Sequence, residues 1–445
     1  MTSRSIAIIG SGISGLSAAW LLSRSAEVTL FERADRLGGH SNTIVADTAE
    51  GAVAVDTGFI VFNERNYENL CAIFAHLGVD TAPSDMGFAV SVEDGRMEYS
   101  GRHLDGLFGQ RRNLIRPAHW QLVSDILRFF REAKGHLPTL PAEVSIGEFL
   151  ATHGYSRVFI EDHILPMSAA IWSTPARHML DFPARNFIEF FANHGLLQVS
   201  DRPRWRTVVG GSRAYVDRLV GEGRFNSVTG ASIATVLRGQ RGAELVFEDG
   251  QRRMFDEVVL ACHADDALRL LGDASAEERG ILGAFRFTPN TAVLHTDRRF
   301  MPRRKRLWSA WNYLRTAGDD GERLSLTYWM NRLQPLDTRT DLFVTLNPGH
   351  DFAPGTVQYR TTYEHPLFDA GAMAAQAQLW RIQGVSRTWF AGAWMGYGFH
   401  EDGLQAGLEV AERIGGVNRP WAVRRLRDRI AHTWSGEERL LWAAE

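Results

Sequence analysis

The segment SIAIIGSGISGLSAAWLLSRSAEVTLFERADRLGG, Ser5 to Gly39, decides the fold. Ile6, Ala7, Ile8 and Ile9 form a short apolar run of the kind found in a strand buried on both faces. Gly10, Gly12 and Gly15 follow in the G-x-G-x-x-G spacing. The first glycine permits a tight turn, the second lets backbone approach a pyrophosphate, and the third lets helix and strand pack closely. A helix over about Ile13 to Ser23 aims its first N–H groups, from Ile13 and Ser14, at the phosphates, where its dipole favours negative charge. The second strand, EVTLFE, ends in Glu32, about twenty residues past Gly10, where a carboxylate accepts hydrogen bonds from ribose hydroxyls and repels a 2′-phosphate. Arg33 is grouped with it among the cofactor contacts. The alternative is a structural βαβ turn, and the motif alone fits NAD and FAD equally.

Outward from this segment, 445 residues predict two or three folding units. Hydrophobic residues at 44% and charged residues at 23% are ordinary for a globular chain. A formal charge of −3 gives no bulk field for nucleic acid. Cys71 and Cys262 are the only cysteines and read as reduced thiols in a cytoplasm. There is no signal-peptide pattern, and no run reaches the roughly 18–20 apolar residues of a membrane span. Of 49 Lys and Arg, only Lys134 and Lys305 are lysines. No repeat, second glycine fingerprint, Walker lysine loop or metal-ligand set is assigned.

In the middle of the chain, residues Tyr67 to about Leu77 predict an amphipathic helix, Ala89 to Met97 a hairpin, and Leu104 to Ala192 a helical region. There HWQLVSDILRFFREAKG places Trp120, Val123, Ile126, Leu127 and Phe130 on one stripe, for a core or a membrane-facing side. Strands return with a hairpin at Asp249-Gly250, and aromatic segments between Phe285 and Val357 suit a sheet with one face on an apolar cavity, or a plain sheet core. Near the end, FAGAWMGYGFHEDGLQAGLEVAERI (Phe390 to Ile414) runs from strand through glycines into a helix expected to start near Asp402 or Gly403.

The pair Gly38-Gly39 followed by His40, and VDTGFIVFN (Val55 to Asn63) with Gly58 and Phe59, resemble the FAD-binding amine oxidase and phytoene desaturase superfamily. The resemblance implies an α/β chain: a Rossmann-like FAD domain from 1–65, 205–270 and 385–417, interleaved with an α+β substrate domain from 66–204 and 271–384. It puts backbone at Val236 near adenine, Gly392 beside the cofactor, and Asp402, Gly403 and free N–H groups around Leu404 against the flavin ring. An arginine usually stands where His40 does. The family's covalent cysteine and N5-facing lysine are missing, implying non-covalent FAD and arguing against amine oxidation. His400, Tyr397, Trp394, His194 and Tyr328 are the candidate catalytic residues; His400 either handles a proton beside N5 or only bonds and packs there.

A nearer resemblance rests on LGGHSNT (37–43), DTGFIVFN (56–63), YSRVFIEDHILPMSAAIWSTP (155–175) and NHGLLQVSDRPRWRTVVGGSRAYV (193–216). These are similar to the N-terminal flavoprotein half of plant cyclopropane fatty acid synthases and to related stand-alone bacterial flavoproteins. The implied function is dehydrogenation of a lipid or fatty acyl substrate, with a cyclopropane-synthase-like methyltransferase as partner. Rivals are a flavin amine oxidase and a redox-neutral or scaffolding flavoprotein. The tail 418–445, with Arg419, Arg424, Arg425, Arg427 and Arg429 interleaved by Trp421, Leu426, Ile430 and Trp434, suits either the inner membrane face or packing back on the domain.

Overall fold

A computed structural model describes residues 4–101, 104–141, 143–172, 179–198, 202–318 and 321–422. Strand Ser5–Ile9 lies at the centre of a five-stranded sheet, in the order Asn226–Val228, Glu27–Phe31, Ser5–Ile9, Glu257–Leu260, Thr388–Phe390, with every pair parallel. Its Ile6, Ala7 and Ile8 are fully buried, as a central strand with covered faces demands. The sheet is therefore assembled from three stretches far apart in sequence, around the glycine turn.

Helix Ile13–Leu22 is buried at all ten positions because it lies between this sheet and the last helix, His400–Gly415. Small residues make that crossing possible. A methyl at Gly407 would stand 2.1 Å from the Ser14 carbonyl oxygen, and one at Gly403 would stand 2.8 Å from Ile13 Cγ2. The last helix begins at His400, two to three residues before the expected start.

The other half is a seven-stranded mixed sheet: Val357–Leu367, Arg286–His295, Phe343–Leu346, Gly321–Trp329, Trp311–Gly318, Phe88–Val92 and Met97–Ser100. Helices between 104 and 193 pack on it around Phe129, Phe149, Phe159, Phe187 and Phe191. On helix Pro117–His136 the buried face is Leu122, Val123, Ile126, Phe129 and Ala133, while Trp120 and Leu127 point outward. The expected stripe was rotated because two exposed aromatic and aliphatic side chains were counted as core. Cys71 and Cys262 are free thiols, and burial pushes both up to about 12.

At the start of the tail, Arg419 pairs with Glu412 at 2.7 Å and Trp421 stacks on Trp20 at 5.9 Å. These two residues pack back on the domain. Arg424, Arg425, Leu426, Arg427, Arg429, Ile430 and Trp434 lie outside the described residues. No described helix is long and apolar enough to cross a membrane.

Candidate active site

A cavity of about 1340 Å³ runs from the glycine turn of the parallel sheet to the mixed sheet and helical layer. Its polar end is made largely of backbone. Gly10 (φ +104°) turns so close to the neighbouring strand that a methyl there would lie 2.6 Å from the Ala261 carbonyl oxygen. A methyl at Gly15 would lie 1.8 Å from the Gly10 oxygen, so that glycine sets packing without lining the cavity. Gly12 differs, since a methyl there meets nothing within 4 Å and would project into open space. The helix it caps has no side-chain cap and no acid in its first turn, and Ile13 and Ser14 line the cavity. First-turn amides have no partner within their helix, so this terminus suits a pyrophosphate.

Glu32 is fixed by Ser11 N–H (2.8 Å), Ser11 O–H (2.6 Å) and Ala34 N–H (2.9 Å), leaving about one of a carboxylate's four acceptor sites for the cavity it lines. Arg33 lines it too, 3.5 Å from Asp266. The segment opposite is Ala231–Ala234. Val236 is not there, because it is fully buried in the core of its strand, and the nucleotide wall lies a few residues earlier.

Gly38 shapes the next turn, Gly39 approaches the Gly12 Cα, and Gly58 runs 2.2 Å (as a methyl) from the His40 oxygen. Gly39, Gly58 and Phe59 line the cavity, while Gly38 does not. His40 stacks on Tyr363 at 4.8 Å, with His365 at 5.4 Å. Burial, then the imidazoles of His365 and His263, hold it well below the usual histidine range. Its Nε2 is buried without a hydrogen-bond partner among the described residues, an orphan that a bound cofactor would satisfy. Open space at Gly12, the uncapped helix terminus and this orphan together fit FAD.

His400 lines the same cavity. Its ring lies flat on Phe59 (3.8 Å, 8°), and its Nε2 is 2.6 Å from the Tyr215 hydroxyl, which meets Ser41 Oγ at 2.5 Å. Burial keeps the Tyr215 phenol protonated and pushes His400 down to about 3. Ser41 Oγ also lies 3.3 Å from Nε2, so the neutral imidazole either accepts at Nε2 from Tyr215 with its proton on Nδ1, or donates from Nε2 to a phenol that in turn donates to Ser41. Tyr215 went unread in the sequence, although it stands inside the quoted segment GGSRAYV.

The acids beside His400 serve the fold. Glu401 accepts from the N–H groups of Asn69 (2.8 Å) and Leu70 (2.9 Å), capping helix Glu68–Leu77. Asp402 accepts from the Phe399 N–H at 2.8 Å and closes its own first turn. Neither Asp402, Gly403 nor Leu404 lines the cavity. The helix starts two to three residues earlier than expected, so the Gly403 N–H bonds the Phe399 oxygen and Leu404 is buried in the core.

The opposite end is apolar and built from side chains. Phe190, Phe399 and His194 stack together, with Phe190 3.8 Å from His194 and 5.0 Å from Phe399. Sheet register sets Phe88 and Tyr328 on either side of Trp311. Met86, Met167, Ile171 and Leu196 complete the wall. His194 and Tyr328 thus reach the cavity as expected. Tyr397 does not line it, but packs edge-on to Phe190. Trp394 lines the polar end beside Gly392, its indole N–H committed to the Cys262 carbonyl at 3.0 Å. Among the described residues, every carboxylate, arginine and lysine lining the cavity (Glu32, Arg33, Arg36, Glu248, Asp266, Arg269 and Glu364) belongs to the polar end and its surroundings.

A model of the NAD(P)-binding Rossmann-like domain matches residues 8–77. Coproporphyrinogen III oxidase of Mycobacterium leprae (strain TN) is 27% identical over 293 residues, covering 61% of this chain and 62% of the relative. The chain thus matches less than two thirds of that relative's length. A CLA-producing fatty acid isomerase from P. acnes superposes with a TM-score of 0.65 at 16% identity, covering 93% of this chain and 98% of that one. Putrescine oxidase bound to putrescine gives 0.66 at 16%, covering 92% and 98%. Likeness at this identity fixes the fold alone: a Rossmann-like dinucleotide-binding domain joined to mixed α/β sheets.

Proposed function

We propose that the chain is an FAD-dependent oxidoreductase that dehydrogenates an uncharged, apolar substrate of the fatty acyl class. The carrying observation is one continuous cavity, polar at one end and aromatic at the other, where the described lining residues include no carboxylate, arginine or lysine. A dication such as a diamine would lose its hydration there without a counter-charge, and a polycarboxylate such as a porphyrinogen would meet no cation. A hydrocarbon chain incurs neither cost, and aromatic and methionine walls adapt to it.

Bound FAD supplies a hydride acceptor. The helix terminus at Gly12–Ser14 and His40 would hold its phosphates, and Glu32 its ribose. In the tautomer where Tyr215 donates to Nε2, His400, neutral and clamped by Phe59 and Tyr215, offers its Nδ1–H as a fixed donor near the junction of the two ends. His194 and Tyr328 orient the substrate within the apolar end. A cyclopropane-synthase-like methyltransferase is the partner we propose for the same acyl chains; co-purification tests that pairing.

The test is mass spectrometry of acyl phospholipids incubated with the FAD-loaded protein and an artificial electron acceptor. Loss of two hydrogens from the acyl chain is the expected result. Unchanged acyl chains alongside oxidised amines would overturn it. A second reading, redox-neutral isomerisation, is favoured by the same charge-free end and would give a shifted double bond at unchanged mass.

A further inference from the structure

Outside the cavity lining, the chain exposes a group of large apolar side chains. Ile115 is 84% exposed, Leu114 47% and Trp120 50%. They occupy the short helix Arg111–Ile115 and the first turn of Pro117–His136, and the Trp120 indole donates to the Leu114 carbonyl at 2.9 Å. Single exposed hydrophobics are ordinary, but three within six residues of one another, two of them tied by a hydrogen bond, are not.

The surroundings of this group are basic. Arg116 donates to the Arg96 carbonyl (2.7 Å), the Gly95 turn abuts Arg303, and Arg304 reaches Glu98 at 2.5 Å on the same hairpin. Segments 93–98, 105–116 and 303–306 thereby meet on one face, carrying eight Arg and Lys against four Asp and Glu in a chain whose net charge is −3. Among the described residues, Arg112, Arg116, Arg303, Lys305 and Arg306 form no ion pair with a carboxylate. Burial and the neighbouring guanidinium groups of Arg112, Arg96 and Arg304 act on Arg116 in the same direction, lowering it. A face of this kind attracts an extended anion, and the apolar group requires a hydrocarbon layer beneath that anion.

We propose that this face seats the protein on an anionic phospholipid bilayer, with Leu114, Ile115 and Trp120 entering the headgroup layer and Arg112, Arg116 and the 303–306 turn facing lipid phosphates. The surface uses no residue of the 423–445 segment and is independent of which substrate enters the cavity.

The experiment is co-sedimentation of the FAD-loaded full chain with phosphatidylcholine vesicles, with and without phosphatidylglycerol. Four proteins are compared: the wild type, R112E/R116E, I115S/W120S, and a chain ending at Ala422. Wild type and the shortened chain are expected to bind phosphatidylglycerol vesicles, with binding falling as salt rises. Each double variant is expected to bind about tenfold or more weakly, since an arginine near such a surface contributes roughly fivefold. Circular dichroism and flavin absorbance confirm that the variants are folded. Absence of wild-type binding, equal binding by R112E/R116E, loss of binding on tail removal alone, or retention on nucleic acid without vesicle binding would overturn the proposal.

Discussion

The two ends of the cavity are built by opposite means. The polar end depends on what is missing from side chains: Gly10, Gly12 and Gly15 place backbone where any Cβ would collide or fill the cradle. The apolar end depends on side chains alone, contributed by strands and helices from residue 86 to residue 399. The lesson is that cofactor recognition is fixed by backbone geometry and tolerates little, whereas substrate recognition is a composition of walls and can be retuned residue by residue.

This contrast predicts separable failures. Gly15→Val forces side-chain atoms into the Gly10 carbonyl and should destabilise the protein by about 3 kcal/mol or more. The purified variant should lack flavin absorbance; a yellow, normally melting variant would mean the cradle is not backbone-limited. Met167→Glu places a carboxylate in the apolar end. It should retain FAD yet slow reduction by acyl substrates about a hundredfold, equivalent to ~2.7 kcal/mol, in anaerobic stopped-flow. Equal rates would remove the charge-free wall from the argument.

A third test lies outside the cavity lining, in the buried framework. Asp56 is buried, accepts from Thr43, Ser212 and Gln334, and is raised by burial to about 6. The folded state therefore keeps a proton that the unfolded chain, with a pKa near 3.9, has released. Wild-type stability should fall by about 2 kcal/mol as pH rises from 4 to 6 on this account. Asp56→Asn should lack that component in chemical denaturation, and an identical pH slope in both proteins would refute the assignment. The smallest effect is expected from Tyr215→Phe, which removes the hydroxyl partner 2.6 Å from His400 Nε2. Flavin reduction should slow by about fivefold, near the ~1 kcal/mol of one hydrogen bond, and nitrogen NMR should show the His400 tautomers mixing. A single retained tautomer would show that Phe59 stacking and Ser41 Oγ, 3.3 Å from Nε2, suffice.

These differences also explain what could be read from the chain alone. Gly10 to Glu32 was legible because phosphate recognition forces glycines and an acid into fixed spacing, and the structure places them around one cradle. His400 was legible by position, yet its partner Tyr215 was not, since a contact across 185 residues leaves no local pattern. Asp402, Gly403 and Leu404 were misread because a helix start and the end of a glycine turn look alike in sequence; here Gly403 exists to let two helices touch. The apolar wall was legible only as aromatic strands, which a core and a pocket share.

The most direct measurement is anaerobic mixing of the FAD-loaded protein with unsaturated or methyl-branched phospholipids on one side and with diamines on the other, following flavin absorbance. Bleaching by the phospholipids and not by the diamines is the predicted result. Bleaching by diamines, with phospholipids inert, would contradict a charge-free substrate end.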